Sequence, residues 1–163
     1  HLQPGGISSY VVSLSKGLKQ KGHNCFVASS GGMLEGLLQE YGAVSIKVDL
    51  NTKSELSLKV FRAIKILLPI VREKNIQIIH AQTRVASIIA WRLAKLNHIP
   101  FITTCHGFFK PRFFRRLCSC WGKKAIAISE EVLKHLVNDF KLKRDEIELI
   151  YNGLDLDNIP KHS

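Results

Sequence analysis

The chain has 163 residues, of which 45% are hydrophobic and 23% are charged, and its formal net charge at pH 7 is +11. This composition is typical of a folded globular domain and excludes disordered and fibrous classes. No apolar run approaches the roughly 18 residues of a membrane span, and no leader peptide is evident, so we expect a cytoplasmic protein. The excess of cations favours partners that carry phosphate, such as nucleotides, anionic lipids or nucleic acid.

The first part of the chain predicts helices alternating with short strands. Apolar residues at three- and four-residue steps predict a helix that opens just after Gly5–Gly6 and ends at Gly22. The apolar run Cys25–Ser29 predicts a buried strand, because turn-forming residues bound it on both sides. Met33–Tyr41 is predicted to be a helix and Val44–Val48 a second strand.

The rest of the chain continues the alternation. Leu58–Arg72 has the spacing of an amphipathic helix, and Pro69 is expected to kink it or to mark a break near its end. The remaining predicted strands are Ile76–Ala81, Pro100–Thr104, Ala125–Ile128 and Ile147–Tyr151, and the remaining predicted helices are Val85–Leu96 and Glu130–Phe140. This pattern predicts an α/β fold, in which a parallel sheet has helices on both faces.

Ligands of open parallel sheets bind beyond the carboxyl ends of the strands, so the loops there hold the candidate site residues. Gly5–Gly6 precedes a helix whose N–H groups and positive end suit a phosphate, although an ordinary tight turn has the same sequence. Arg84 opens a helix and suits a phosphate or carboxylate, or is simply solvated. His106 ends a strand before Gly107 and suits a reacting hydroxyl, or has a structural role.

The segment Phe108–Arg116 contains four aromatic residues interleaved with four cations. Such a segment can lie at a membrane interface, with its rings among the acyl chains and its cations on phosphates. It can equally pack its phenylalanines inside the fold and leave its charges solvated. Both interpretations stay open at this point.

The cysteines and the missing motifs narrow the chemistry further. Neither a disulfide framework nor the C-x-x-C spacing of zinc sites is present, so we expect free thiols and no metal site from Cys25, Cys105, Cys118 and Cys120. The chain also lacks the P-loop, G-x-G-x-x-G, H-E-x-x-H and G-x-S-x-G motifs. Kinases, dinucleotide dehydrogenases, zinc proteases and hydrolases therefore lose their usual support.

The order of several stretches resembles the N-terminal domain of family 4 glycosyltransferases. The opening Gly5–His23 resembles the start of that domain, and its later landmarks are matched in order by residues 80–84, 100–107, 125–130 and 150–155. The resemblance implies a GT-B fold, in which two Rossmann-like domains face each other across a cleft. Residues 1–155 would be the N-terminal, acceptor-side domain without its first strand. Residues 156–163 would lead to the absent C-terminal domain, which mainly holds the nucleotide sugar.

The resemblance also implies roles for individual residues. Gly5 and Gly6 would approach the diphosphate of the donor, and His106 would lie beside the reacting sugar and the acceptor as the catalytic candidate. We assign Arg84, Gly107 and Lys110 to the acceptor. The reaction would retain the anomeric configuration and would need neither a metal nor a cofactor, since the nucleotide sugar is a co-substrate.

We expect the acceptor to be a glycan or a lipid-linked, lipopolysaccharide-like sugar, because the basic and aromatic segment suits the anionic inner leaflet of a membrane. Two alternatives stay open. One is a sugar-nucleotide epimerase that shares the GT-B fold, and the other is a non-catalytic basic domain that binds membrane or nucleic acid. The Gly5–Gly6 opening together with the His106 loop favours the transferase. No nucleic-acid-binding motif is present, so we expect no nucleic acid partner.

Overall fold

The computed structural model describes residues 2–52, 54–55, 57–109 and 120–153. Lys110, Cys118 and most of the segment Phe108–Arg116 lie outside the described residues, as does the predicted tail. The chain divides into two compact units. Residues 2–47 and 151–153 belong to the unit that we call the N-terminal unit, and residues 48–150 belong to the central unit.

The N-terminal unit contains two helices and a pair of parallel strands. Its elements are α1 (Gly6–Gln20), β1 (Phe26–Ser29), α2 (Glu35–Glu40) and β2 (Val44–Lys47). The two strands pair in parallel, with Phe26 opposite Val44. The buried core of this unit consists of Leu2, Val12, Leu38 and Ala43.

Backbone hydrogen bonds hold Leu2 in this core. Its N–H donates to the carbonyl of Gly31 over 2.9 Å, and its carbonyl accepts from the N–H of Leu34 over 3.0 Å. Gly32 has a φ of +151°, and a Cβ at this position would lie 2.6 Å from the carbonyl carbon of Leu2. Glycine is therefore required where the chain passes Leu2.

The central unit is built on a four-stranded sheet. Its elements are α3 (Leu58–Glu73), β3 (Ile79–Ala81), α4 (Arg84–Asn97), β4 (Phe101–Cys105), β5 (Lys124–Ala127), α5 (Glu130–Phe140), a 3-10 turn (Arg144–Glu146) and β6 (Ile147–Leu149). All strand pairs are parallel and the order is β3-β4-β5-β6. Within the described ranges, no helix combines the length and the apolar character needed to cross a membrane.

Hydroxyl side chains fix where the three described α-helices of the central unit begin. Ser57, Thr83 and Ser129 occupy the N-cap positions of α3, α4 and α5, and each side chain accepts a hydrogen bond from a backbone N–H of the first turn. Such caps satisfy N–H groups that have no partner inside the helix. The sequence therefore places each helix start directly at its cap.

Strand β4 lies inside the sheet and is the most buried strand of the unit. Thr103 pairs with Ala81 on one side and with Ala125 on the other. The loop before β5 passes close to the start of β4 at Gly122, where φ is +86° and a Cβ would lie 2.2 Å from the carbonyl oxygen of Phe101. This close approach admits only glycine.

The predicted α/β class with parallel strands is confirmed, and the differences concern the ends of elements. The strand predicted over Ile76–Ala81 begins only at Ile79. Asn75 takes a φ of 49°, and the N–H of Ile76 donates to the carbonyl of Val71 over 3.0 Å, so these residues close α3 instead. Of the two expectations for Pro69, the break was wrong, since α3 continues to Glu73, and the kink stays a prediction. Pro69 is exposed, so water can reach the carbonyl that lost its helical donor.

Candidate active site

The carboxyl ends of three parallel strands bring the residues that follow them to one edge of the central sheet. Gln82 and Thr83 follow β3, His106 and Gly107 follow β4, and Ser129 closes the loop after β5. Because the strands are parallel neighbours, these loops meet at the edge where open α/β sheets bind ligands. The candidate site is therefore built from side chains that are distant in sequence.

His106 is held at this edge by Gln82. Its Nε2 lies 2.9 Å from Oε1 of Gln82, and because a carbonyl oxygen only accepts, Nε2 carries the proton. Nδ1 is then the acceptor nitrogen of a neutral ring. Burial lowers the pKa of His106 below the usual value, so the neutral form dominates at pH 7. An oriented neutral imidazole can accept a proton from a reacting hydroxyl.

A second histidine, His80, lies in the neighbouring strand β3. Nε2 of His80 lies 2.7 Å from Oγ1 of Thr104, which joins β3 to β4 through side chains. Burial lowers the pKa of His80 to about 4, and the positive charge that His106 can carry lowers it further in the same direction. His80 is therefore neutral at pH 7, and it places no competing charge beside His106.

The turn after His106 is closed by the preceding cysteine. The thiol of Cys105 donates a hydrogen bond to the carbonyl of Gly107 over 3.2 Å. Burial raises the pKa of the Cys105 thiol to about 11, so it stays protonated and keeps donating. Among the described residues, no atom lies within 4 Å of a Cβ built on Gly107. The described residues thus leave space for ligand atoms beside this glycine.

The chain shortly after His106 is anchored to α5 by His135. Nε2 of His135 accepts the backbone N–H of Phe109 over 3.0 Å, and Nδ1 lies 2.5 Å from Oδ2 of Asp139. The acceptor role of Nε2 places the ring proton on Nδ1, facing the carboxylate. The ring is buried, with Phe108 and Phe140 in edge contact. This contact fixes the chain three residues after His106.

Arg84 lies at the first position of α4, but its side chain is turned into the central unit. Only 9% of that side chain is exposed, and Nε lies 3.2 Å from Oε1 of Glu55. Its guanidinium carbon lies 5.8 Å from the centre of the Trp121 ring, within cation–π range. Arg84 is thus engaged with at least an ion pair and an aromatic face. Its assignment to an acceptor stays a prediction.

Gly5 and Gly6 belong to the N-terminal unit. Gly5 is the N-cap of α1, and among the described residues no side chain caps this helix. The first turn of α1 contains no acidic residue, and both glycines are exposed. The start of α1 thus has the positive end and the uncrowded backbone that anions favour. The role of the pair toward a donor phosphate stays a prediction.

The structure brings together only some of the predicted site residues. His106 and Gly107 lie side by side at the sheet edge, Arg84 is engaged with Glu55, and Lys110 lies outside the described residues. Sequence reasoning missed Gln82, the partner of His106. Its signal was its place directly after β3, at the same edge as the end of β4. In the described part of the chain, no group of three His, Cys, Asp or Glu side chains has metal-binding geometry.

Comparisons with known proteins give the family and the fold. The sequence model of Glycosyltransferase Family 4 matches residues 4–158. A glycosyltransferase from Rickettsia africae ESF-5 is 26% identical, with a TM-score of 0.83 over 94% of this chain and 41% of that one. Anabaena Alr3699/HepE in complex with UDP-glucose is 16% identical, with a TM-score of 0.70 over 94% of this chain and 42% of that one.

A third similar structure has different chemistry. The UDP-GlcNAc 2-epimerase from Neisseria meningitidis bound to UDP-GlcNAc is 16% identical, with a TM-score of 0.61 over 92% of this chain and 46% of that one. No curated protein matches the chain significantly. The chain thus spans less than half the length of these solved structures, and its fold is one half of a GT-B fold.

Proposed function

This chain belongs to Glycosyltransferase Family 4, and we propose on that basis that it is the acceptor-side half of a glycosyltransferase. The observation that carries the proposal is the family match over residues 4–158, together with a neutral, oriented histidine at the carboxyl edge of the parallel sheet. The donor would be a nucleotide sugar, bound mainly by a second GT-B half. The complex of HepE with UDP-glucose supports such a donor.

His106 would act on the acceptor hydroxyl. In the transfer, the acceptor oxygen forms a bond to the anomeric carbon, the bond from that carbon to the diphosphate breaks so that the nucleoside diphosphate leaves, and the proton of the hydroxyl passes to His106. The neutral ring of His106 is held by Gln82, and its neighbour His80 is neutral as well. The ring therefore suits a hydrogen bond to that hydroxyl. The open space beside Gly107 supports the idea that the acceptor approaches there.

The donor diphosphate would meet the start of α1. The backbone around Gly5 and Gly6 is exposed, and a Cβ on Gly6 would meet no described atom within 4 Å. This arrangement supports the phosphate role, because N–H groups and the helix dipole stabilise the charge that develops on the leaving group. Retention of configuration and independence of metals and cofactors are carried over from the family as part of the proposal.

The acceptor would be a glycan or a lipid-linked sugar of the lipopolysaccharide type, and the protein would work at the inner face of the cell membrane. The net charge of +11 supports an anionic surface as a partner. Arg84 and Lys110 would contribute to the acceptor side. For Arg84 this requires that the guanidinium can donate a hydrogen bond to the acceptor while it is paired with Glu55.

The proposal is tested by transfer of radiolabelled sugar from a panel of nucleotide sugars to a lipid extract from bacterial membranes. The chain alone is compared with the longest gene product that contains it. We expect transfer by the longer product and none by the chain alone, because the donor-binding half is then missing. A chelator should not change the rate, and NMR of the product should show the anomeric configuration of the donor.

The same assay separates the second candidate function. The similarity to the UDP-GlcNAc 2-epimerase favours an epimerase as the alternative. An epimerase would convert a nucleotide sugar to its epimer without any acceptor, and this conversion is detected by chromatography of the nucleotide fraction. Epimer formation without transfer would overturn the transferase proposal, and loss of both activities would favour a non-catalytic binding domain.

A further inference from the structure

Helix α3 has an outer face with an unusual composition. Its inner face is buried through Val60, Ala63, Leu67 and Val71. The outer face of a surface helix is normally polar. Here, however, Leu58 is 72% exposed, Phe61 is 59% exposed and Ile66 is 47% exposed. Three large apolar side chains are thus left in water along one helix.

Cations accompany these apolar side chains. Arg62, Lys65 and Arg72 are exposed on the same helix. Arg62 lies four positions after Leu58 and Lys65 four positions after Phe61, while Arg72 lies two turns beyond Lys65 on the same face. Among the described residues, neither Arg62 nor Lys65 forms an ion pair, and the guanidinium of Arg72 donates to the side-chain carbonyl of Asn97. Glu73 is the only acidic residue of α3, and Lys74 holds its carboxylate over 2.7 Å. The outer face is therefore apolar and strongly positive.

We infer that this outer face, formed by Leu58, Phe61, Arg62, Lys65, Ile66 and Arg72, docks on an anionic phospholipid bilayer. A helix that lies in a membrane interface combines apolar side chains for the acyl boundary with cations for the phosphates. Nucleic acid would use the cations and leave the three apolar side chains in water. The core of a protein interface is depleted of charged residues, whereas three cations lie among the apolar side chains of this face. The bilayer is the occupant that uses both parts of the face.

This inference does not depend on the transferase activity, and it locates membrane contact in a described helix rather than in the segment Phe108–Arg116. It is tested by co-sedimentation with vesicles of phosphatidylcholine alone and of phosphatidylcholine mixed with phosphatidylglycerol, at low and high salt. One variant carries Arg62→Gln and Lys65→Gln, and a second carries Phe61→Ser and Ile66→Ser. The matched control carries Lys21→Gln and Lys134→Gln, two exposed lysines that are not part of α3.

We expect the wild type to bind the anionic vesicles and to be released by salt. Each α3 cation contributes roughly a fivefold factor to binding, so the charge variant should bind about 25-fold more weakly. The apolar variant should bind at least about tenfold more weakly, and the control should change by no more than about twofold. All changed side chains are exposed, so the thermal unfolding temperatures should agree among the variants.

A spectroscopic reporter tests insertion directly. Phe61→Trp should show a blue shift on anionic vesicles and quenching by brominated lipids, beyond the background of Trp91 and Trp121. Equal binding of the α3 variants and the control, binding that ignores lipid charge, or an unquenched Trp at position 61 would each overturn the inference. Since the vesicle assay needs neither donor nor acceptor, its failure leaves the transfer assay in detergent as a separate result.

Discussion

The start of α1 and the edge beyond β4 offer ligands two different kinds of surface. At Gly5–Gly6 the chain presents backbone, without a side-chain cap among the described residues and without an acidic first turn. Beyond β4 it presents a histidine whose ring is fixed by Gln82, in a loop tied down by Cys105 and His135. The first surface depends on the absence of a side chain at the glycines, and the second depends on the side-chain atoms of His106 and its partners. The two should therefore fail under different substitutions.

Removing the ring of His106 is the strongest test of the side-chain surface. In an active preparation, His106→Ala should lower kcat by about 10²- to 10⁴-fold, the usual contribution of a positioned acid or base. Gln82→Ala should lower it less, because it frees the ring without removing it. His23→Ala, at an exposed histidine, is the matched control. Kinetics and thermal unfolding are measured together, and an unchanged kcat with a folded protein would remove His106 from the site.

Removing the hydrogen bond between Phe109 and His135 should have the next largest effect. His135→Leu leaves the N–H of Phe109 without its acceptor in a buried place, which should lower the free energy of unfolding by about 1–3 kcal/mol. His135→Gln keeps an acceptor at the position of Nε2 and should recover most of the loss. Urea unfolding and hydrogen exchange of the Phe109 amide measure both effects. Equal loss in the two variants would mean that the ring packs rather than anchors.

The neutral state of His80 predicts a pH dependence of stability. Its pKa is about 4 in the folded protein and about 6.5 in the unfolded chain, so the unfolded state binds the proton first as the pH falls. Stability should be full above pH 6.5 and fall towards pH 4. The loss between pH 7 and pH 5 is about 2 kcal/mol. His80→Gln should remove that part of the slope in urea unfolding, whereas His23→Gln should not. If the free energy of unfolding fell in parallel for wild type and His80→Gln as the pH is lowered, His80 would not be held neutral in the folded protein.

The order of helices and strands was readable from the sequence because apolar spacing and turn residues act locally. Helix α5 was predicted with its exact ends, since Ser129 caps its start. On α1, the buried positions include Ser8 and Ser15, and Ile7 is exposed. Small polar side chains on an inner face carry no apolar signal, so apolar periodicity predicts the helix but does not show which of its faces is buried.

The candidate site was predictable only in part, because some of its contacts join residues that lie far apart in the sequence. His106 was found because one strand and one glycine mark its place. Gln82 was not, because its contact with His106 spans 24 positions and exists only once β3 and β4 pair. Arg84 opens a helix as expected, yet its partner Glu55 lies 29 positions earlier. Pairing across a sheet is a tertiary property, and single-sequence patterns do not encode it.

A charge placed at the start of α1 gives the finest test of the backbone surface, because stability and activity should move in opposite directions. Gly5 has extended backbone, which any residue adopts, and a Cβ there would have only ordinary contact, 3.9 Å from the carbonyl oxygen of Gln3. Gly5→Asp and Gly5→Asn both cap the helix, so each should raise the free energy of unfolding by a few tenths of a kcal/mol, about the difference between such caps and glycine.

Only the aspartate carries a charge that repels a diphosphate. Gly5→Asp should therefore raise the KM for the nucleotide sugar about tenfold beyond Gly5→Asn, which corresponds to about 1.4 kcal/mol. Calorimetry measures the stability of both variants, and initial rates at varied donor concentration measure the KM. A KM unchanged from the wild type in both variants would mean that no phosphate approaches this helix start. A rise common to both would mean that the glycine is needed for space, since the two side chains have nearly the same shape and differ in charge.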